Sequence, residues 1–247
     1  MDKELFLGLP EYLSQITDQV ALGGGEPMLY PKLVYQFSKL CNKYDLICNL
    51  TTNATHKVKP KYLKYLTMIS LSWDNYKIRD IAGIRRYDKM IQYFNNLKIK
   101  TGSNFLLHNE SIFKNGMDDN VPRFMSIVKS IFNFGVERVF TLYPKNWKYL
   151  DILKYRDQYL ALSLLYEHFY VDDLTNQILS EKKYSKWSKS CHYGKDIISI
   201  NEEGYVTGCS FDPNNKAVLK IQNSKDILNI LDIQFKERFS CPYLNYY

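Results

Sequence analysis

Apolar positions along the first two-thirds of the chain alternate between short compact runs and longer stretches with helical spacing. Leu5, Leu9, Tyr12, Leu13 and Ile16 recur at helical intervals, and Pro10 predicts a kink or a start near Leu9. Residues 19–22 read as a strand. A glycine run follows, then a helix opened by Pro31 with Leu33, Val34, Phe37 and Leu40 on one face. Residues 46–51 predict a second strand, 60–66 a helix and 68–72 a third strand. Tyr87, Met90, Ile91, Phe94 and Leu97 mark another helix, followed by a strand over 104–108, a helix over 122–132 and a strand over 137–143.

That series holds five strands, with helices in four of their connections. Parallel neighbours need crossover connections, so the alternation predicts an α/β fold with a parallel sheet covered by helices. Ligands of such sheets sit at the carboxyl ends of the strands, which directs attention to motifs just after a strand. Residues 1–150 form this first unit. Residues 151–187 read as a helix-rich, polar and aromatic linker, and 188–247 as a small α+β unit. Within the latter, 197–201, a Glu203–Gly204 turn and 205–209 predict a β-hairpin.

Composition changes this picture little. Apolar content of 45% and charged content of 24% are ordinary for a globular chain, so disorder is not indicated. There is no apolar run long enough to span a bilayer and no cleavable apolar start, which predicts a cytoplasmic protein without a membrane partner. The net charge of +7 raises nucleic acid as a partner. Lysines are scattered rather than striped, however, and the densest group, Lys57, Lys59, Lys61 and Lys64, reads as a solvated helix start. Nucleic acid is therefore not the expected partner.

The five cysteines fall into two groups. Cys41 and Cys48 lie on a predicted helix and strand and read as buried thiols. Cys191, Cys209 and Cys241 lie in the last quarter, and an odd count in a cytoplasmic chain favours metal binding over a disulfide framework.

Gly23-Gly24-Gly25-Glu26-Pro27 occupies the position after the first strand. Glycines let a backbone approach a ligand closely, Glu26 offers an anionic acceptor for an ammonium group, and Pro27 ends the ladder. A tight strand-to-helix turn is the plainer explanation of such a run. Neither a Walker loop nor a dinucleotide fingerprint has this spacing.

The segment Ala-Leu-Gly-Gly-Gly-Glu-Pro-Met-Leu at 21–29 resembles the GGEP motif of radical SAM enzymes. Later landmarks follow in matching order: Thr51-Thr52-Asn53, then Ser70-Leu71-Ser72-Trp73-Asp74, then Ile78-Arg79-Asp80, over residues 3 to about 145. The resemblance implies a partial (β/α)6-type barrel. It also implies that Gly24, Gly25 and Glu26 hold the amino group of S-adenosyl-L-methionine, with Asn53 near it. Ser72 and Arg79 would meet its carboxylate or ribose, with Arg85 as a substitute for Arg79. Each has a structural alternative: Ser72 as a strand end, Arg79 as a surface cation, Asn53 as a turn residue.

The family binds a catalytic 4Fe–4S cluster on a CxxxCxxC loop after its first strand, ahead of GGEP. No such loop occurs in these 247 residues. The resemblance therefore implies a barrel whose first strand is missing, leaving strand 19–22 an exposed edge. A fragment or misassigned start is the preferred explanation. The alternatives are a non-catalytic SAM- or peptide-binding module that lost the cluster, and a partner chain that supplies the loop.

Cys191, twelve residues, Gly204, four residues and Cys209 resemble the opening signature of SPASM and Twitch domains. With Cys241 this implies one auxiliary 4Fe–4S cluster, with His192 as a further candidate ligand; zinc is the alternative, since three Cys and one His complete a tetrahedral site. The implied activity is reductive cleavage of SAM and hydrogen abstraction, with a peptide or protein substrate and an electron donor as partners. No catalytic residue is assigned.

Overall fold

A computed structural model describes residues 1–73, 81–106, 120–142, 152–182, 197–208 and 217–233. Six strands, β1 (Gln19–Leu22), β2 (Ile47–Thr52), β3 (Met68–Trp73), β4 (Lys100–Leu106), β5 (Arg138–Leu142) and β6 (Phe169–Val171), form one sheet in sequence order. All five pairings are parallel. The helices are α1 (Lys3–Leu13), α2 (Pro31–Lys43), α3 (Ile81–Asn96), α4 (Asn120–Asn133), α5 (Arg156–Leu165) and α6 (Asp173–Glu181).

A sheet whose order follows the chain has one consequence. Each right-handed crossover steps in the same direction, so every connecting helix falls on the same face. The contacts follow that rule. Trp73 of β3 meets Tyr87 of α3 edge-on at 4.8 Å, Phe105 of β4 stacks on Phe124 of α4 at 5.9 Å, and Phe169 of β6 lies 6.3 Å from Tyr159 of α5. Cys41 of α2 and Cys48 of β2 are both fully buried in the same apolar cluster. Register partners share a face, so the covered rows run Leu50–Ile69–Thr101 and Thr52–Leu71–Ser103–Val139–Phe169, almost all buried.

The other face is polar. Its rows are Ala21–Asn49–Met68–Lys100, Thr51–Ser70–Gly102–Arg138 and Ser72–Asn104–Phe140–Tyr170. Parallel strands buried on both faces are near-continuous apolar runs; here β2 alternates burial strictly, the pattern of a sheet covered on one side only.

Several expectations are corrected. Among the described residues the sheet has six strands, not five, because Phe169–Val171 pairs with β5 inside the stretch read as a helical linker. Three residues are too few for a periodicity to register. Residues 60–66 form only a 3-10 turn at Pro60–Tyr62, since so short a segment cannot repay helix nucleation before β3 begins at Met68. Helix α1 starts at Lys3, not near Leu9, because Asp2 caps it by accepting from the Leu5 amide at 2.7 Å. Pro10 sits inside that helix.

The described part of 197–233 holds the expected hairpin, β7 (Ser199–Ile200) with β8 (Tyr205–Thr207), plus β9 (Leu219–Lys220). Gly204, at φ +84°, makes the turn, close to Ile221 and Leu5. A 3-10 segment, Ser224–Asp232, follows with an Asn223–Asp226 capping box. Its Ile227 and Ile230 join the same apolar cluster as Leu5, Leu9 and Leu13 of α1. The Ser224 hydroxyl donates to the Leu5 carbonyl at 2.9 Å. Helix α1 and the segment Ser224–Asp232 thus share a core.

Among the described residues, no helix is long and apolar enough to cross a membrane.

Candidate functional site

The glycine turn leaves β1 at its carboxyl end, at the edge of the sheet. Gly23, Gly24 and Gly25 are all exposed, and a Cβ added to any of them would meet nothing within 4 Å. Only Gly24, at φ +78°, requires glycine for its backbone. Glycine at the flanking positions therefore leaves open space beside the chain instead of relieving a clash.

Glu26 ends the turn and is bound from three directions. Its Oε1 accepts from the Met28 amide at 3.0 Å and from the Thr52 hydroxyl at 2.8 Å, while Oε2 accepts from the Asn53 amide at 2.8 Å. The first contact caps the 3-10 turn Pro27–Leu29. The other two reach the end of β2, so one carboxylate holds two adjacent strand-end turns together. Each carboxylate oxygen offers two lone-pair directions, so Oε2 retains one and Oε1 none.

Asn53 is held in turn. Its amide donates to Glu26, and its Oδ1 accepts from the Thr55 amide at 2.9 Å. Ala54 follows in the left-handed region at φ 59°, unusual for a residue with a Cβ, with its amide donating to Thr52 Oγ1 at 3.2 Å. Ser72 lies on β3, half-buried on the polar face and paired in register with Asn104. Asn104 Nδ2 donates to Thr51 Oγ1 at 3.3 Å, linking two rows of that face. Asn49 Oδ1, on the same face, is buried without a hydrogen-bond partner among the described residues.

The structure therefore brings Glu26 and Asn53 together, with Gly24 and Gly25 open beside them and Ser72 on the neighbouring strand. Arg79, Cys191, His192, Cys209 and Cys241 lie outside the described residues. Among those described, no group of three or more His, Cys, Asp or Glu side chains is arranged to hold a metal ion. Cys41 and Cys48 are free thiols, fully buried on the helix-covered face, as expected. The neighbouring Cys48 thiol and burial push the Cys41 thiol far above its ordinary range, which leaves it protonated and a poor ligand.

Sequence reasoning missed the role of Thr52. It lies 26 residues from its partner, and nothing local marks it. It also missed a second feature. A cleft of about 760 Å³ opens between the loop after β2 and the first turns of α3, lined by Ala54, Lys57, Arg85, Arg86, Lys89 and Met90 among others. Lys57 is exposed, as its sequence neighbourhood suggested, and its ammonium sits 4.3 Å from the centre of the Tyr93 ring. Arg85 lines this cleft, which does not include the glycine turn or Ser72.

No protein-family model matches the chain, and no curated protein matches it. Among solved structures, the chain is similar to wild-type GGGPS from Thermoplasma volcanium. The identity is 10% and the TM-score 0.39, over 72% of this chain and 83% of that one. It is also similar to a truncated form of 3-deoxy-D-arabino-heptulosonate 7-phosphate synthase from Thermotoga maritima. There the identity is 11% and the TM-score 0.28, over 69% of this chain and 85% of that one. At these scores neither likeness bears on the function.

Proposed function

We propose that this chain carries the S-adenosyl-L-methionine-binding part of a radical SAM-type enzyme, with the aminoacyl end of the ligand at the Gly23–Glu26 turn. One observation carries the reading: an exposed glycine turn, open beside each Cα, ends at a carboxylate anchored to the neighbouring strand end. The free lone pair of Glu26 Oε2 and the glycine peptide groups suit an ammonium group. Asn53 and Ser72 border the same end of the sheet.

The finer fold in this reading is a partial barrel with a further strand on the free edge of β1. A strand and three-thiolate loop from outside these 247 residues would complete it. Bound to a reduced 4Fe–4S cluster, SAM supplies a radical that abstracts hydrogen from a substrate, here a peptide or protein. The described residues offer no thiolates suited to that cluster, because Cys41 and Cys48 are buried beneath the helices. An auxiliary cluster, or zinc, on Cys191, Cys209 and Cys241 belongs to the same proposal, as does Arg79 as a SAM contact.

Binding of SAM alone tests the reading without any cluster. Gly25 is exposed, its φ is not in the left-handed region, and a Cβ there touches nothing, so Gly25→Ala should fold as the parent does. The methyl would stand where the ligand approaches. By equilibrium dialysis, the parent should bind SAM and Gly25→Ala should bind it about tenfold more weakly, equivalent to ~1.4 kcal/mol. A parent chain that does not bind SAM, or a variant that binds it equally well, ends the proposal.

A further inference from the structure

We infer that the cleft between the loop after β2 and α3 is a second binding site, one that takes a small molecule bearing a phosphate group. This inference does not depend on the SAM reading, since the cleft's lining includes neither the glycine turn nor Ser72.

The cleft opens beside the loop that leaves β2, in a crossover to β3 whose described turn is the short Pro60–Tyr62 segment. The space left open is of a size that suits a small-molecule ligand, about 760 Å³ against the usual ~300–1,000 Å³. Among the described residues, its lining includes four cations, Lys57, Arg85, Arg86 and Lys89, and no Asp or Glu.

The way these cations are held argues for a built site. Arg85 and Lys89 are one helical turn apart, and like charges at that spacing destabilise a helix unless an anion sits between them. Lys57 lines the cleft from the loop after β2, its ammonium over Tyr93 of α3, while the Tyr93 hydroxyl donates to the Val58 carbonyl and clamps loop to helix. The strained Ala54 sets the path of that loop. Cations from two chain segments, the loop after β2 and α3, therefore line one cleft, with the loop held to the helix through Tyr93.

The donor set selects the ligand. A single carboxylate occupies one guanidinium fork, whereas the Arg85 guanidinium with the two ammonium groups of Lys57 and Lys89 matches the several oxygens of a phosphate. Ala54, Ala82 and Met90 add apolar wall, which suits an organic moiety attached to the phosphate. A polynucleotide is the less favoured occupant. The next lysines along the loop, Lys61 and Lys64, fold over Tyr62 and Tyr65 and do not line the cleft, so the charge is confined and not a continuous track.

Calorimetric titration of the full chain with pyrophosphate and with phenyl phosphate, at constant chloride, tests this. Both should bind saturably. The double variant Arg85→Gln/Lys89→Gln should weaken each at least tenfold, and its melting temperature without ligand should equal or exceed that of the parent, because a repulsion is removed. Three outcomes overturn the inference: no saturable binding by the parent, binding unchanged in the variant, or binding of a short single-stranded RNA with none of either small phosphate. Loss of SAM binding in Gly25→Ala with phosphate binding intact would separate the two sites.

Discussion

Glu26 Oε2 accepts a 2.8 Å hydrogen bond from the Asn53 amide, fastening the turn after β1 to the turn after β2. With Thr52 and Met28 on Oε1, one side chain satisfies three donors at the carboxyl end of the sheet. Whatever ligand the open glycines admit, the acid that ends their turn is also structural.

Glu26→Gln is therefore expected to destabilise the fold. The amide NH2 must face either the Asn53 N–H or the Met28 and Thr52 donors, so at least one contact becomes donor against donor. The expected loss is roughly 1–3 kcal/mol, read as a lower denaturant midpoint with an unchanged slope. An unchanged midpoint would mean that the carboxylate does not hold the two turns together.

The Tyr87 hydroxyl donates to Ser103 Oγ at 2.7 Å in the buried layer between α3 and β4. Ser103→Ala strands a buried phenol and should cost about 1–3 kcal/mol, while Tyr87→Phe should cost about 1 kcal/mol. The double variant should lose less than the sum of the two, and strict additivity would refute the coupling.

Alkaline pH probes the same layer. Burial raises the Tyr87 phenol above its ordinary value, with Ser103 pulling part of the way back, and burial also raises Tyr159. The unfolded chain loses these protons at about pH 10, before the folded one does. The stability tied to them is thus fully present below about pH 10 and falls as pH rises toward the folded-state values. Tyrosinate absorbance from these rings should appear only together with loss of near-ultraviolet circular dichroism. Their ionisation in a chain that remains folded would contradict the burial argument.

Gly8 of α1 lies against Ser224, and a Cβ at position 8 would collide with that side chain. Gly8→Ala should destabilise by about 1–3 kcal/mol, despite a helix-propensity gain of nearly 1 kcal/mol. Adding Ser224→Gly should restore most of the loss. If Gly8→Ala raises the melting temperature by itself, α1 does not pack on the carboxyl-terminal segment as described.

The covered side of the sheet was legible in the chain. Tyr87, Met90, Ile91 and Phe94 recur at helical spacing and are all buried, and the runs around Leu50, Ile69 and Val139 lie under the helices. Such patterns survive in one dimension because burial of one face repeats with the element's own period. The candidate turn was legible for a similar reason, since consecutive glycines after a strand mark themselves. β6 was not, being too short to carry a period, and neither was the helix start at Asp2, which depends on a single capping contact.

By itself, then, the sequence determined that parallel strands alternate with helices, that Cys41 and Cys48 are interior, and that an exposed glycine turn follows the first strand. These follow from local spacing and side-chain chemistry. Only the tertiary structure decided that one sheet face is polar, that Glu26 is held by Thr52 and Asn53, and that Lys57, Arg85 and Lys89 line one cleft. Those relations join residues roughly 26 to 32 positions apart, and strand order and crossover length set them rather than the periodicity of any one segment.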